Sequence, residues 1–255
     1  MEGLRDKVIV FAGAGGIAAA TASFLGAGGA RIVVGDVVDT SAEATVQAAR
    51  DAGGDGIATV TDIADENQVK RQIDLAISTY GRIDGLFNVA ADIHPDSVAR
   101  DTDAVGIDLA AWQRSLDVNL TGYLLTLKHA LPHLIAGGGG SVVNTLSGAV
   151  YAGMPDKVAY SATKAAIGAL TRHVARRHGK EGVRCNGVAP GLVMTRQTEL
   201  NLPEGFRDSI LAATPASRHG RPEDIGATVA FLLSDLAAWT TGQILCVDGG
   251  TTMRA

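Results

Sequence analysis

Residues 7–36 read KVIVFAGAGGIAAATASFLGAGGARIVVGD, and this stretch decides the fold. Lys7 to Ala12 is an unbroken apolar run, which suits a strand buried on both faces of a parallel sheet. Gly13-Ala14-Gly15-Gly16-Ile17-Ala18 is a glycine turn, and a helical pattern with Ala19, Ala22, Phe24 and Leu25 follows it. A second apolar run, Arg31 to Gly35, ends in Asp36. Strand, glycine turn, helix, strand and acid form the layout of a dinucleotide-binding unit. The glycines let backbone approach a pyrophosphate at the positive end of the helix. The acid can accept both hydroxyls of the adenosine ribose.

Working outward, the alternation continues to the end of the chain. Helical patterns at Ser41–Arg50 and Asp65–Tyr80 flank a short strand at Gly56–Val60, and Asp84–Val89 is the next strand. Residues 92–108 hold a proline, a glycine and several aspartates without periodicity, and read as a surface loop. Leu109–Ala136 reads as one long helix that Pro132 kinks. The strand Ser141–Leu146, the helix to His178, the strand Val183–Ala189, a partly helical stretch to Ala216, the helix Pro222–Leu233 and the strand Gln243–Val247 complete the pattern. The expectation is an α/β, doubly wound parallel sheet in a single domain over residues 1–255.

The third informative stretch is Ser147 to Lys164, SGAVYAGMPDKVAYSATK. Tyr160 and Lys164 lie four apart and share a helix face, while Ser147 ends the preceding strand. A phenol with a pKa of about 10 exchanges protons poorly near neutrality. A nearby ammonium favours its ionised form, and a serine hydroxyl can hold the oxygen on which charge develops. The set suits proton exchange at a carbonyl or alcohol beside a bound hydride carrier.

Composition excludes other classes. The net charge of −5 and a pI near 5.6 give no basic stripe for nucleic acid. Cys185 and Cys246 form neither a disulfide framework nor a metal spacing, which points to a reducing compartment, and the cytoplasm is expected. No apolar run approaches the roughly eighteen residues of a membrane span, and the start is too short and glycine-terminated for a signal peptide. His129 and His133 have i, i+4 spacing without a third ligand at a motif distance. Asp101, Asp103 and Asp108 lack the pattern of a calcium loop, so no metal is expected.

With these residues in view, the chain resembles the short-chain dehydrogenase/reductase family over essentially its whole length. The motifs are Asp36, Asp62-Ile63, Asn88-Val89-Ala90-Ala91, Asn119 in DVNLTG, Ser147 with Tyr160 and Lys164, Asn186 to Gly191, Thr195, and Val247 to Gly250. The resemblance implies that Tyr160 is the general acid/base, and that Lys164 lowers its pKa and binds the nicotinamide ribose. It further implies that Ser147 holds the reacting oxygen and Asn119 anchors a water in the proton relay. NAD would meet Gly13, Gly15, Gly16 and Ile17 at its phosphates, and Asp36, Asp62, Ile63, Asn88 and Ala90 around the adenosine half. Pro190, Gly191, Val193 and Thr195 would meet the nicotinamide half.

The departures are Ala12 and Ala18 in the glycine turn, which is one residue short of the family's form, and Val89 for a second asparagine. His94, Ala149, Tyr151 and Met154 are candidate substrate contacts, under a lid at about 192–214. The implied reaction is hydride transfer between NAD(H) and a secondary alcohol or ketone in a homotetramer. A cofactor-binding regulatory protein without turnover, or an epimerase or dehydratase on the same fold, are the alternative readings.

Overall fold

β1 (Val8–Ala12) is buried along its whole length, with Ile9 and Phe11 turned to one layer of helices and Val8 and Val10 to the other. The computed structural model describes residues 2–253, so residues 1, 254 and 255 of the expected domain lie outside the description. The strands are β1, β2 (Arg31–Asp36), β3 (Asp55–Val60), β4 (Gly85–Asn88), β5 (Gly140–Thr145), β6 (Val183–Pro190) and β7 (Ile244–Val247). They form one parallel sheet in the order β3-β2-β1-β4-β5-β6-β7. The order reverses between β1 and β4, and that switch point is where an open α/β sheet leaves a crevice at its strand ends.

The helices, in chain order, begin with α1 (Gly16–Ala27), α2 (Asp39–Asp51), α3 (Glu66–Tyr80), α4 (Pro95–Arg100) and α5 (Leu109–Leu116). They continue with α6 (Gly122–Ala136), α7 (Ala149–Ala152), α8 (Val158–His178), α9 (Arg196–Asn201), α10 (Glu204–Ala213) and α11 (Pro222–Leu233). α1, α2 and α11 bury Leu25, Val46 and Val229 on one sheet face; α3, α6 and α8 bury Ile73, Leu134 and Val174 on the other. With few aromatic residues the core is aliphatic, and Phe11 and Phe87, meeting edge to face at 5.3 Å, are its one ring pair among the described residues.

Two sequence expectations are corrected here. The 92–108 segment is not simply a surface loop: it contains α4, started by Pro95 at the first turn, and it buries Asp101. The long helix runs through Pro132 to Ala136, and its irregularity lies earlier, in a π-helical turn at Asp117–Thr121 between α5 and α6. There the Gly122 N–H reaches back to the Asp117 carbonyl, so the turn accommodates one extra residue. Such turns often occur at functional sites.

Candidate active site

The glycine turn leaves β1 with Gly13 at φ 108° and Gly15 at φ 105°, a region that side-chain-bearing residues avoid. A Cβ on Gly13 would lie 2.5 Å from the Ala90 nitrogen, so the β1 and β4 turns can touch only through glycine. Gly15 caps α1 without a side-chain hydrogen bond, and the first turn of the helix carries no acid. The free N–H groups of Gly16, Ile17 and Ala18 therefore present uncompensated positive potential. Asp36 ends β2 beside this turn. Its carboxylate accepts from the N–H of Ala14 at 2.8 Å and of Val38 at 2.8 Å, which fixes its direction. An unoccluded glycine cradle with a bare helix start and an anchored acid fits a dinucleotide. This holds although Ala12 and Ala18 depart from the family's turn, because the atoms that matter are backbone.

Next to this cradle, Asp62 accepts from Ala64 N–H at 2.9 Å, and Ile63 is buried under the close approach of Gly122. Asn88, expected beside the adenosine half, directs its side chain elsewhere. Its amide donates to Asn144 at 2.9 Å and accepts from the Thr126 hydroxyl at 2.7 Å, so it ties β4 to β5 and α6. Ala90 gives its N–H to the Ala12 carbonyl at 2.8 Å.

On the other side of the switch point, Ser147 follows β5, and its hydroxyl lies near enough to the Tyr160 phenol to favour the ionised form. The Ser147 oxygen also accepts from Ala149 N–H at 3.2 Å. Lys164, one turn along α8, is fully buried and donates to the Thr145 carbonyl at 2.8 Å and to the Tyr123 hydroxyl at 3.4 Å. Its nitrogen lies 5.1 Å from the Tyr123 ring centre and 5.7 Å from that of Tyr160. Asn119 sits in the π-helical turn, fully buried; its carbonyl oxygen accepts from Asp92 N–H at 2.8 Å. The Asn119 amide nitrogen is a buried donor without a partner among the described residues. Such a group needs a polar ligand or water to satisfy it.

The electrostatics run against the expected direction. Burial raises the Tyr160 phenol above its ordinary value, and the nearby Ser147 hydroxyl offsets this only in part. Burial likewise pushes the Lys164 ammonium down to about 7. The desolvation that lowers Lys164 and raises Tyr160 opposes the low phenol pKa that the resemblance implies. The pair is tuned by desolvation first.

Two residues escaped sequence reasoning. Asp101, 59 residues before Tyr160, caps the helix that carries it: the carboxylate accepts from Ala159 N–H and Tyr160 N–H, each at 2.9 Å. The carbonyls of Asp101 and Thr102 take the N–H groups of Lys157 and Val158, which completes the helix start. The sequence hides this, because Asp156 beside the helix start offers a local cap, yet no side-chain cap is made there. Tyr123 reads as core in the run GYLLTL, yet it stands four residues from Asn119 and one turn on the same face.

The other expected contacts divide. Thr195 caps α9 through Thr198, and a Cβ on Gly16 would lie 3.2 Å from its methyl group, so Thr195 lies against the glycine turn. Pro190 accepts from Gly148 N–H, and Gly191 packs on Asp248. Val193 is buried and bridges to Gly220. Ala149 and Tyr151 lie on α7, directly after Ser147, and Met154 follows that helix half-buried. His94 instead caps α4 on the surface, where its ring accepts from Asp96 N–H at 3.3 Å. His129 bonds Glu66, as does Lys128, which accounts for it as part of a surface ion cluster.

A family model described as "Enoyl-(Acyl carrier protein) reductase" matches residues 12–252. The chain is 38% identical over 252 residues to cis-4-hydroxycyclohexanecarboxylate dehydrogenase of Sinomonas cyclohexanicum, covering 98% of each chain. It is 31% identical over 255 residues to 7alpha-hydroxysteroid dehydrogenase of Bacteroides fragilis, covering 100% of this chain and 97% of that one. Among solved structures, levodione reductase superposes with a TM-score of 0.89 at 31% identity, covering 96% of this chain and 97% of that one.

Proposed function

The chain belongs to the short-chain dehydrogenase/reductase family, and from that premise we propose that it exchanges a hydride between NAD(H) and a cyclic secondary alcohol or its ketone. The observation that carries the reading is the convergence of Ser147 and Tyr160 at the end of β5, with the fully buried Lys164 nitrogen 5.7 Å from the Tyr160 ring centre. The bound nicotinamide supplies the hydride acceptor or donor. The Ser147 hydroxyl holds the substrate oxygen, and Tyr160 passes the proton. For reduction, the raised phenol is protonated and donates to the developing alkoxide; oxidation runs the transfer in reverse once the phenol has given up its own proton, a step that rising pH favours. Lys164 would hold the nicotinamide ribose with its ammonium, and the free Asn119 amide would anchor the solvent end of the proton path.

NAD, rather than NADP, is favoured by Asp36. Its fixed carboxylate suits ribose hydroxyls and repels a 2′-phosphate, and Val37, Val38 and Asp39 offer no cation after the strand. The cyclic class rests on the names of two relatives, which act on ring-borne hydroxyls, and on the half-buried Val150, Tyr151 and Met154 beside Ser147. Residues 192–214, with α9, α10 and exposed Leu200 and Phe206, serve as the substrate lid.

We also place the enzyme in the cytoplasm as a homotetramer, joined through α5–α6 and α8, whose outer faces carry small and apolar residues. No helix among the described residues is long and apolar enough to cross a membrane. Reduced-nicotinamide absorbance with NAD and a panel of cyclohexanols, hydroxysteroids and linear acyl thioesters tests the reading. Turnover confined to thioesters, or none at all, would reject it. Light scattering that shows only a species near 26.1 kDa would reject the tetramer.

A further inference from the structure

The mechanism uses one tyrosine, but two tyrosines face Lys164. Tyr123 is among the largest fully buried side chains, and it begins α6 directly after the π-helical turn that carries Asn119. Its hydroxyl has one proton, and the shortest acceptor is the Ala90 carbonyl at 3.0 Å, against 3.5 Å for the Thr145 carbonyl. With the proton committed to Ala90, an oxygen lone pair is left to receive an N–H from Lys164, whose nitrogen lies 3.4 Å away. The ring adds its π face to the same ammonium.

We propose that Tyr123 is a positioning residue that holds Lys164 as an ammonium and ties it to the Asn88–Ala91 turn of the dinucleotide crevice. The role of Lys164 toward the dinucleotide rests on the function proposed above; the Tyr123–Lys164 link does not. Three observations converge on the link. Lys164 is 1% exposed and, among the described residues, no carboxylate pairs with it, so its charge is supported by neutral groups alone. The groups that face it are the Thr145 carbonyl from β5, Tyr123 from α6 and the Tyr160 ring from its own helix. Of these, only Tyr123 and Tyr160 titrate. Burial pushes the Tyr123 phenol far above its ordinary value, so it stays neutral across the working range and supports Lys164 as an uncharged group.

The link also bears on a departure in the sequence. Val89 stands where the family has a second asparagine, so this turn lacks that amide. The Tyr123 hydroxyl supplies a side-chain bond to the neighbouring Ala90 carbonyl, and the same oxygen reaches the lysine. One residue thus couples the crevice wall to the catalytic helix.

The test is the titration of Lys164 in the free protein. The chain has six lysines, so ¹³Cε-lysine NMR resolves them, with Lys164→Met giving the assignment. Tyr123→Phe keeps the ring and removes the oxygen. Loss of one hydrogen bond to a charged group predicts a fall in the Lys164 midpoint of about one pH unit, a tenfold loss in proton affinity. NADH affinity, read by fluorescence, then begins to weaken at a correspondingly lower pH. If Tyr123→Phe does not fold, 3-fluorotyrosine at position 123 keeps the ring and weakens the acceptor, and the midpoint falls by a smaller step. An unmoved midpoint in the variant that folds overturns the proposal, whatever happens to thermal stability. Failure of the function itself reads differently: Lys164→Met would then leave turnover intact while Tyr123→Phe still moved the titration.

Discussion

The two halves of the crevice are built from different materials. On the β1–β2 side the working atoms are backbone N–H groups of an open glycine turn and one half-buried carboxylate. On the β5–α8 side they are side chains sunk into packed protein: Lys164 and Asn119 are almost fully buried, and Tyr160 is held from behind by Ser147 and from its helix start by Asp101. A backbone cradle depends on conformation and tolerates exchange of the side chains beside it. That is why Ala12 and Ala18 can stand where the family has other residues. A buried constellation depends on desolvation, so each group there shifts with every neighbour.

Breaking the second half has the larger effect. Lys164→Met removes a buried ammonium and its bonds to Thr145 and Tyr123, and is expected to lower kcat by about a thousandfold while weakening NADH binding about tenfold. Steady-state rates with a fluorescence titration check both numbers. In the first half, Asp36→Ala removes one anchored carboxylate. It should cut the NAD over NADP preference by about ten- to a hundredfold in kcat/KM without a large change in kcat. Adding Arg in place of Val37 should move the preference further toward NADP.

The smallest effect sharpens the boundary between the halves. Asp101→Ala leaves the N–H groups of Ala159 and Tyr160 without their acceptor, at about 1–2 kcal/mol. For a chain of this size that lowers Tm by about 2–8 °C. Turnover should fall several-fold as Tyr160 loses its fixed helix start, with the dinucleotide Kd unchanged. Calorimetry and the same titration separate the two outcomes, and a weakened Kd would show that the halves are not independent.

The difference also explains what could be read in advance. The β1 turn, Asp36 and the alternation of strands and helices were legible because each is written locally: an apolar run, a glycine pair, a terminal acid. The helix Pro222–Leu233 was legible to both ends, since Pro222 at its first turn and the polar Ser234 after it mark the limits. Asp101 was not legible, because its partners lie 58 and 59 residues away and its own segment has no period. The π-helical turn was hidden for another reason. Pro132 is a visible helix breaker, whereas an extra residue at 117–121 leaves no mark in composition.

The side-chain role of Asn88 was not legible, because its amide partners, Asn144 and Thr126, come from other elements. Burial opposes the low phenol pKa that the Lys164 spacing suggests, because spacing records who the neighbours are, not how much water they exclude. His94 shows the limit of position alone: it follows the right strand, yet its ring serves its own helix.

The division of labour between the halves is tested most directly by Tyr160→Phe, measured for turnover and for NADH affinity on the same preparation. The substitution removes one oxygen from the reacting side and touches nothing in the glycine cradle. The account predicts a loss of turnover of at least about a thousandfold with an NADH Kd within about twofold of wild type. Retention of more than a small fraction of the wild-type rate, or loss of binding in step with the rate, would contradict it.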